Sequence, residues 1–198
     1  MSNPRDPRYD ILFEPIRIGP VTAPNRFYQV PHCNGMGRMF PDSMIEMRGM
    51  KAEGGWGIVT TEQCDFHPTG DVQPFTETRM WDDADLPYLA AMVDAVHAHG
   101  ALAGIELVHN GQDSGCLYSR EVPIGPEHRP VTWHQHPLQA RAMSRSDIRD
   151  YRRWHRKAVL RARQAGFDMV VVYAGHNGTV PSHFLSRESN QRSDEYGG

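Results

Sequence analysis

Four short runs rich in β-branched and aromatic residues alternate with segments of helical spacing, and this alternation limits the possible folds more than any other feature. The runs are apolar throughout rather than alternating, which is typical of strands buried on both faces of a parallel sheet. They cover residues 26–31, 57–61, 101–108 and 169–173. The helical segments between them cover residues 44–51, 86–97 and 144–162. The chain is therefore predicted to have an α/β fold with a parallel sheet.

Parallel strands joined by right-handed crossovers can form either an open doubly wound sheet or a closed barrel. No Gly-x-Gly-x-x-Gly follows any of the four runs, which argues against the open nucleotide-binding sheet. In a barrel the reactive side chains collect at the carboxyl ends of the strands, and here polar or reactive residues stand at the carboxyl end of every run. These residues are His32 and Cys33, Glu62 and Gln63, Glu106 and His109, and Tyr173 and His176. We therefore predict a barrel with an active site at this end.

Composition narrows the range of partners. The 198 residues suit one domain, and the formal charge of −3 arises from 21 basic and 24 acidic residues that are mixed along the chain. Because no basic block is present, we expect neither nucleic acid nor a membrane surface as a partner. The polar N-terminus lacks the apolar core of a signal peptide, so a cytoplasmic protein is expected. Three cysteines, an odd number, argue against a disulfide framework.

Residues 25–33, Asn-Arg-Phe-Tyr-Gln-Val-Pro-His-Cys, resemble the first-strand segment of the trimethylamine, dimethylamine and histamine dehydrogenases, a branch of the Old Yellow Enzyme class. Further segments similar to this family are residues 11–19, 51–56, 103–107, 165–168 and 190–198. The resemblance implies an FMN-binding TIM (β/α)8 barrel that oxidises a small amine to an aldehyde and releases an amine or ammonia. Residues 1–198 would form the N-terminal half of this barrel, about four βα units, and the turn-rich residues 11–21 predict a short β-hairpin before it.

Cys33 stands where this branch forms a thioether to C6 of FMN, so the resemblance implies a covalent flavin, with Pro31 and His32 beside it. Considered alone, a cysteine is more often a small buried apolar residue. Glu62 and Glu106 are also predicted to contact the cofactor. At Glu106 the resemblance implies contact with the flavin pyrimidine edge, and a buried carboxylate there needs either such a contact or an arginine partner.

Tyr173 and His176 form a Tyr-x-x-His pair where the family places a tyrosine and a histidine beside the substrate amine. A phenol that contacts a histidine can act as a base or set the protonation state of the amine, although each residue alone could be structural. Gln63 replaces an aromatic residue of the trimethylamine enzyme. Its amide oxygen can accept an N–H, which indicates a dimethylamine- or histamine-like substrate. His109 opens a His-x-Gly-x element and is predicted to contact substrate.

Two other functions remain open from the sequence. One is an Old Yellow type ene-reductase that uses NAD(P)H and a dissociable FMN, and the other is a non-catalytic, truncated half-barrel. A closed barrel needs eight strands, so residues 1–198 are expected to be a partial domain that is truncated at its C-terminal end.

In the family, a 4Fe-4S cluster and nucleotide-binding domains follow downstream of the segment that this chain covers. The full-length enzyme is expected to be a homodimer that passes electrons to an electron-transfer protein. His134 and His136 lack a third ligand of matching spacing, so no metal site is predicted.

Overall fold

The computed structural model describes residues 6–72, 78–131 and 138–197. The strands, in chain order, are β1 (Ile16–Ile18), β2 (Val21–Ala23), β3 (Tyr28–Gln29), β4 (Ile58–Asp65), β5 (Thr78–Arg79), β6 (Leu102–Val108), β7 (Ile124–Gly125), β8 (Arg129–Pro130), β9 (Gln139–Ala142) and β10 (Met169–Val172). The α-helices are α1 (Pro41–Glu53), α2 (Leu86–His97), α3 (Arg145–Gln164) and α4 (Val180–Leu185). Short 3-10 helices cover Pro7–Phe13, Pro68–Gly70, Asp83–Asp85 and Gly111–Asp113.

The central sheet is parallel, and its strand order is β10, β6, β4, β3, with the short β5 paired to the end of β4. The four predicted strands therefore lie side by side in the order in which they occur along the chain. This order is that of a barrel, because a doubly wound sheet reverses its strand order at a switch point. The predicted hairpin is also present, with β1 and β2 antiparallel, and Ile16 lies opposite Ala23.

The helices cover the sheet and form the main core. On α2, Leu89 and Val93 are buried against Val59 of β4 and Ile105 of β6. Fully burying a side chain of this size contributes about 1.5–3 kcal/mol. Helix α3 agrees with the predicted helical segment 144–162, and Ser144 and Asp147 form a capping box at its start.

Strand β4 differs from its prediction, because it continues to Asp65 instead of stopping at Thr61. Glu62 and Gln63 therefore lie inside the strand and not at its end. The pairing of β4 with β6 is irregular where the apolar pattern stops. Thr60 pairs with Gly104 and Gln63 pairs with Glu106, so β4 has one more residue than β6 between these pairs. The extra residue is a bulge, which interrupts the ladder and turns the following side chains.

Residues 109–143, which lack periodicity in the sequence, contain a small second sheet. In it β9 pairs parallel with β7 and antiparallel with β8. A second apolar cluster supports this sheet and α4, which the sequence analysis also missed. Its buried members are Ile124, Met143, Ile148 and Val180.

Candidate active site

A cavity of about 440 Å³ lies beyond the carboxyl ends of β3, β6 and β10 and beside the last residues of β4. Its walls are formed by Val30, Pro31, His32, Cys33, Gln63, Glu106, Asn110, Tyr173, Gly175, His176, Gly178 and Thr179. Seven of the nine site residues predicted from the sequence are in this set, and only Glu62 and His109 are not. The parallel sheet thus brings together cavity residues that are up to 149 positions apart in the chain, Val30 and Thr179.

Gln63 and Glu106 enter the cavity as cross-strand partners on β4 and β6. The Gln63 side-chain nitrogen donates a hydrogen bond to Oδ1 of Asp65 at 3.1 Å. Because this contact uses the nitrogen, the amide oxygen is the atom that can accept a hydrogen bond from a ligand.

Glu106 is almost completely buried, and burial raises the pKa of its carboxyl from 4.5 to about 7. Near neutral pH this group can therefore either donate or accept a hydrogen bond. No ion pair to Glu106 occurs within the part of the chain that the structure describes, so the arginine partner considered in the sequence analysis is not found there.

Tyr173 and His176 are in contact, with the phenol hydroxyl hydrogen-bonded to Nδ1 of the histidine. Gly175 makes this possible, because a Cβ at that position would lie 2.6 Å from the Tyr173 hydroxyl oxygen. The turn then passes through two residues in the left-handed region, His176 at φ 57° and Asn177 at φ 53°. Burial raises the pKa of Tyr173, and the negative charges of Glu106 and Cys33 raise it further. At neutral pH the phenol is protonated, so it can donate to His176 when Nδ1 of the imidazole carries no proton.

Glu62 is fully buried, and its carboxylate does not line the cavity. One oxygen accepts a hydrogen bond from the backbone N–H of Asn34 and the other accepts from the Thr78 hydroxyl, each at 3.0 Å. Neighbouring residues of a strand point to opposite sides, so Glu62 cannot share the cavity with Gln63. In the structure it fixes the loop that carries Cys33.

His109 is also buried away from the cavity. Its Nε2 lies 2.9 Å from the Thr69 hydroxyl, and its Nδ1 accepts the N–H of Gly111 at 3.0 Å. Burial lowers its pKa to about 3, so the imidazole is neutral. The next residue, Asn110, lines the cavity instead, and the alternation of side chains at the end of β6 is the signal that could have identified it.

Arg48 was missed by the sequence analysis because charged residues on a helix are usually solvated. It is fully buried on α1, where it donates to the Gln29 side-chain oxygen and to the His32 carbonyl, both at 2.9 Å. It therefore supports the segment between β3 and the cavity.

Within residues 6–72, 78–131 and 138–197, no group of three or more histidine, cysteine or acidic side chains is arranged to hold a metal ion. His134 and His136 lie outside the described residues. None of the described helices is long and apolar enough to cross a membrane.

Comparison with known proteins identifies close relatives of this arrangement. The chain is 44% identical over 199 aligned residues to dimethylamine dehydrogenase from Hyphomicrobium sp. (strain x), covering 98% of this chain and 27% of that protein. Histamine dehydrogenase from Rhizobium sp. 4-9 superposes with a TM-score of 0.95 and 51% identity, covering 98% of this chain and 30% of that one. A morphinone reductase superposes with a TM-score of 0.81 and 28% identity over 94% of this chain and 55% of that one.

The chain thus spans less than a third of the two amine dehydrogenases that it matches. The structural matches confirm the predicted barrel fold, of which the central sheet supplies four strands. Residues 11–198 match the family described as NADH:flavin oxidoreductase / NADH oxidase. This chain therefore belongs to that family of flavin-dependent oxidoreductases.

Proposed function

We propose that this chain is part of the catalytic barrel of an FMN-dependent amine dehydrogenase. The enzyme would oxidise a dimethylamine- or histamine-like amine to an aldehyde and release an amine or ammonia. The observation that carries this proposal is the convergence of Cys33, Gln63, Glu106, Tyr173 and His176 on one cavity. Support comes from the 44% and 51% identity to dimethylamine and histamine dehydrogenases.

The cavity residues fit FMN in two respects. The Cys33 side chain is exposed at the cavity wall, so its sulfur is accessible for a thioether to C6 of the flavin ring. Glu106 lies within the same cavity with a pKa near 7, so it can pair with either a ring N–H or a ring carbonyl. Bound FMN would supply the redox chemistry by accepting two electrons from the C–H bond next to the amine nitrogen. Attachment through Cys33 would replace the ring C6 hydrogen by sulfur, with its proton released to water and the two electrons taken up by the enzyme's electron acceptor.

Gln63, Tyr173 and His176 would bind the substrate amine and accept its proton. The Gln63 amide oxygen accepts an N–H of the substrate, an interaction that a tertiary amine cannot offer once it has lost its proton. A proton that leaves the substrate ammonium passes to the Tyr173 oxygen while the phenol proton moves to Nδ1 of His176. Above pH 7 the ionised Glu106 carboxylate at the cavity favours binding of the substrate as a cation.

Several properties of the complete enzyme belong to this proposal. A 4Fe-4S cluster in the remainder of the enzyme would carry electrons from FMN to an electron-transfer protein. The full-length enzyme would be a cytoplasmic homodimer, and neither nucleic acid nor a membrane would be a partner.

Acid precipitation of the holoenzyme tests the covalent flavin. We expect the yellow chromophore to remain with the protein pellet, and to move to the supernatant when Cys33→Ser is treated in the same way. If the wild-type protein releases its flavin, the covalent amine dehydrogenase is refuted.

The ene-reductase remains the second candidate, because the chain is also 28% identical to a morphinone reductase. Turnover assays separate the two: dimethylamine or histamine should reduce the flavin of an amine dehydrogenase, whereas NAD(P)H with an activated alkene should turn over an ene-reductase. A protein that binds no flavin under any refolding condition would support the non-catalytic half-barrel.

A further inference from the structure

Two buried charges of opposite sign hold the residues on either side of Cys33. On one side, Arg48 donates from Nη2 to the His32 carbonyl at 2.9 Å. On the other, Glu62 accepts the backbone N–H of Asn34 at 3.0 Å. Both side chains are fully buried, although they come from different elements, α1 and β4. We refer to Arg48 and Glu62 together as the Cys33 clamp.

A buried guanidinium is costly unless hydrogen bonds and a negative charge offset the loss of water. Arg48 also donates to the Gln29 side chain at 2.9 Å, but its Nε has no hydrogen-bond partner among the described residues. Burial lowers the pKa of Arg48, while the charges of Glu62 and Cys33 oppose that change. The arginine and the thiol are therefore close enough to influence each other's ionisation.

We propose that Arg48 is a positioning residue that fixes Cys33 at the cavity wall and stabilises its thiolate, the form that attacks the flavin. The proposal rests on the covalent attachment proposed above. A thiolate is the reactive form of cysteine, and nearby arginine side chains favour it. The hydrogen bond to His32 adds orientation, since it restrains the backbone directly before the nucleophile.

Charged and titratable groups face this thiol from every neighbouring element. When ionised, Glu62 on β4 and Glu106 on β6 disfavour a second negative charge, whereas the Tyr173 phenol after β10 is protonated at neutral pH and adds no charge. Arg48 on α1 carries the permanent positive charge in this set. Among the residues that the structure describes, the titratable groups considered around this thiol are His32, Arg48, Glu62, Glu106, Tyr173 and His176.

The test is the pH dependence of Cys33 alkylation in protein produced without flavin. Iodoacetamide is added between pH 5 and pH 10, and the modified Cys33 peptide is quantified by mass spectrometry, which separates it from the buried Cys64 and Cys116. We expect Arg48→Met to raise the pH midpoint of alkylation by about one unit, which makes the reaction at pH 7 about tenfold slower. Arg48→Lys, which keeps the charge, should recover part of this loss.

Glu62→Gln is the matched variant on the other side of the clamp. It removes the negative charge but retains an oxygen that can accept the Asn34 N–H, so it should lower the midpoint. Arg161→Met is the control, because Arg161 contacts Trp81 and Asp83 instead of the Cys33 segment, and it should leave the midpoint unchanged.

A folded Arg48→Met protein with the wild-type midpoint would overturn the proposal, since a purely structural role predicts that result. If Arg48→Met does not fold, Arg48→Gln, which is also neutral but keeps a hydrogen-bond donor, takes its place, and a folded Arg48→Gln protein with the wild-type midpoint refutes the proposal. Alkylation requires no flavin, so this outcome is independent of whether the wild-type enzyme binds FMN covalently.

Discussion

Replacing Glu106 with glutamine should remove a loss of stability that the wild-type protein suffers as the pH rises. Burial at the cavity raises the pKa of this carboxyl from 4.5 to about 7. Between these two values the unfolded chain is ionised while the folded protein keeps its proton. The unfolded state therefore binds fewer protons, and the free energy of unfolding falls as the pH increases.

The size of the effect follows from the two pKa values. Each pH unit between them is worth about 1.4 kcal/mol, so the complete difference would correspond to about 3 kcal/mol. Glu106 lines a cavity that opens to solvent, and screening by water reduces this to about 1–2 kcal/mol. The penalty is absent below pH 4.5 and complete above pH 7.

Urea unfolding of the flavin-free protein at pH 5 and pH 8 provides the assay. Relative to Glu106→Gln, the wild type should lose about 1–2 kcal/mol between these values. Buried His67 and His109, with pKa values lowered to about 4 and about 3, change stability in the opposite direction, but equally in both proteins. The same pH dependence in wild type and variant would refute the reasoning.

Three further predictions concern the substrate pair, the amide and a helix start. Gly175→Ala places a Cβ against the Tyr173 hydroxyl and should lower kcat of the holoenzyme at least tenfold, with flavin content as the control. Gln63→Leu should raise KM for dimethylamine about three- to tenfold without affecting trimethylamine, and equal changes for both amines would contradict the role of the amide oxygen. Asp147→Ala removes the capping box of α3 and should cost about 1 kcal/mol in denaturant unfolding, whereas an unchanged midpoint would show that the cap contributes nothing.

The periodicity of the sequence was sufficient for the order of the main elements. Strands buried on both faces carry a simple pattern, and the start of α3 carries a capping signal at Ser144. The strand ends then indicated where reactive residues converge, and seven of the nine predicted residues line the cavity.

The positions of Glu62 and Arg48 could not be predicted, because each depends on a contact that is distant in the sequence, whereas alternation at the end of β6 could have placed Asn110 instead of His109 at the cavity. Alternation along β4 places Glu62 and Gln63 on opposite sides, but which of the two faces the cavity depends on the bulge, which is visible only in the pairing with β6. In the sequence Arg48 cannot be distinguished from a surface arginine, because its burial depends on the packing of α1 against the segment before Cys33. The second sheet is built from strands of two to four residues, which are too short to produce a periodic signal.

The extra residue in β4 also affects how relatives should be aligned. Gly104 and Glu106 are two residues apart and share one face of β6, while their partners Thr60 and Gln63 are three residues apart. In a regular strand Thr60 and Gln63 would face opposite sides. A relative lacking this one residue would present a different side chain to the cavity even if every aligned residue were identical. Segment length, as well as residue identity, therefore determines which amide or carboxylate a substrate meets in proteins of this type.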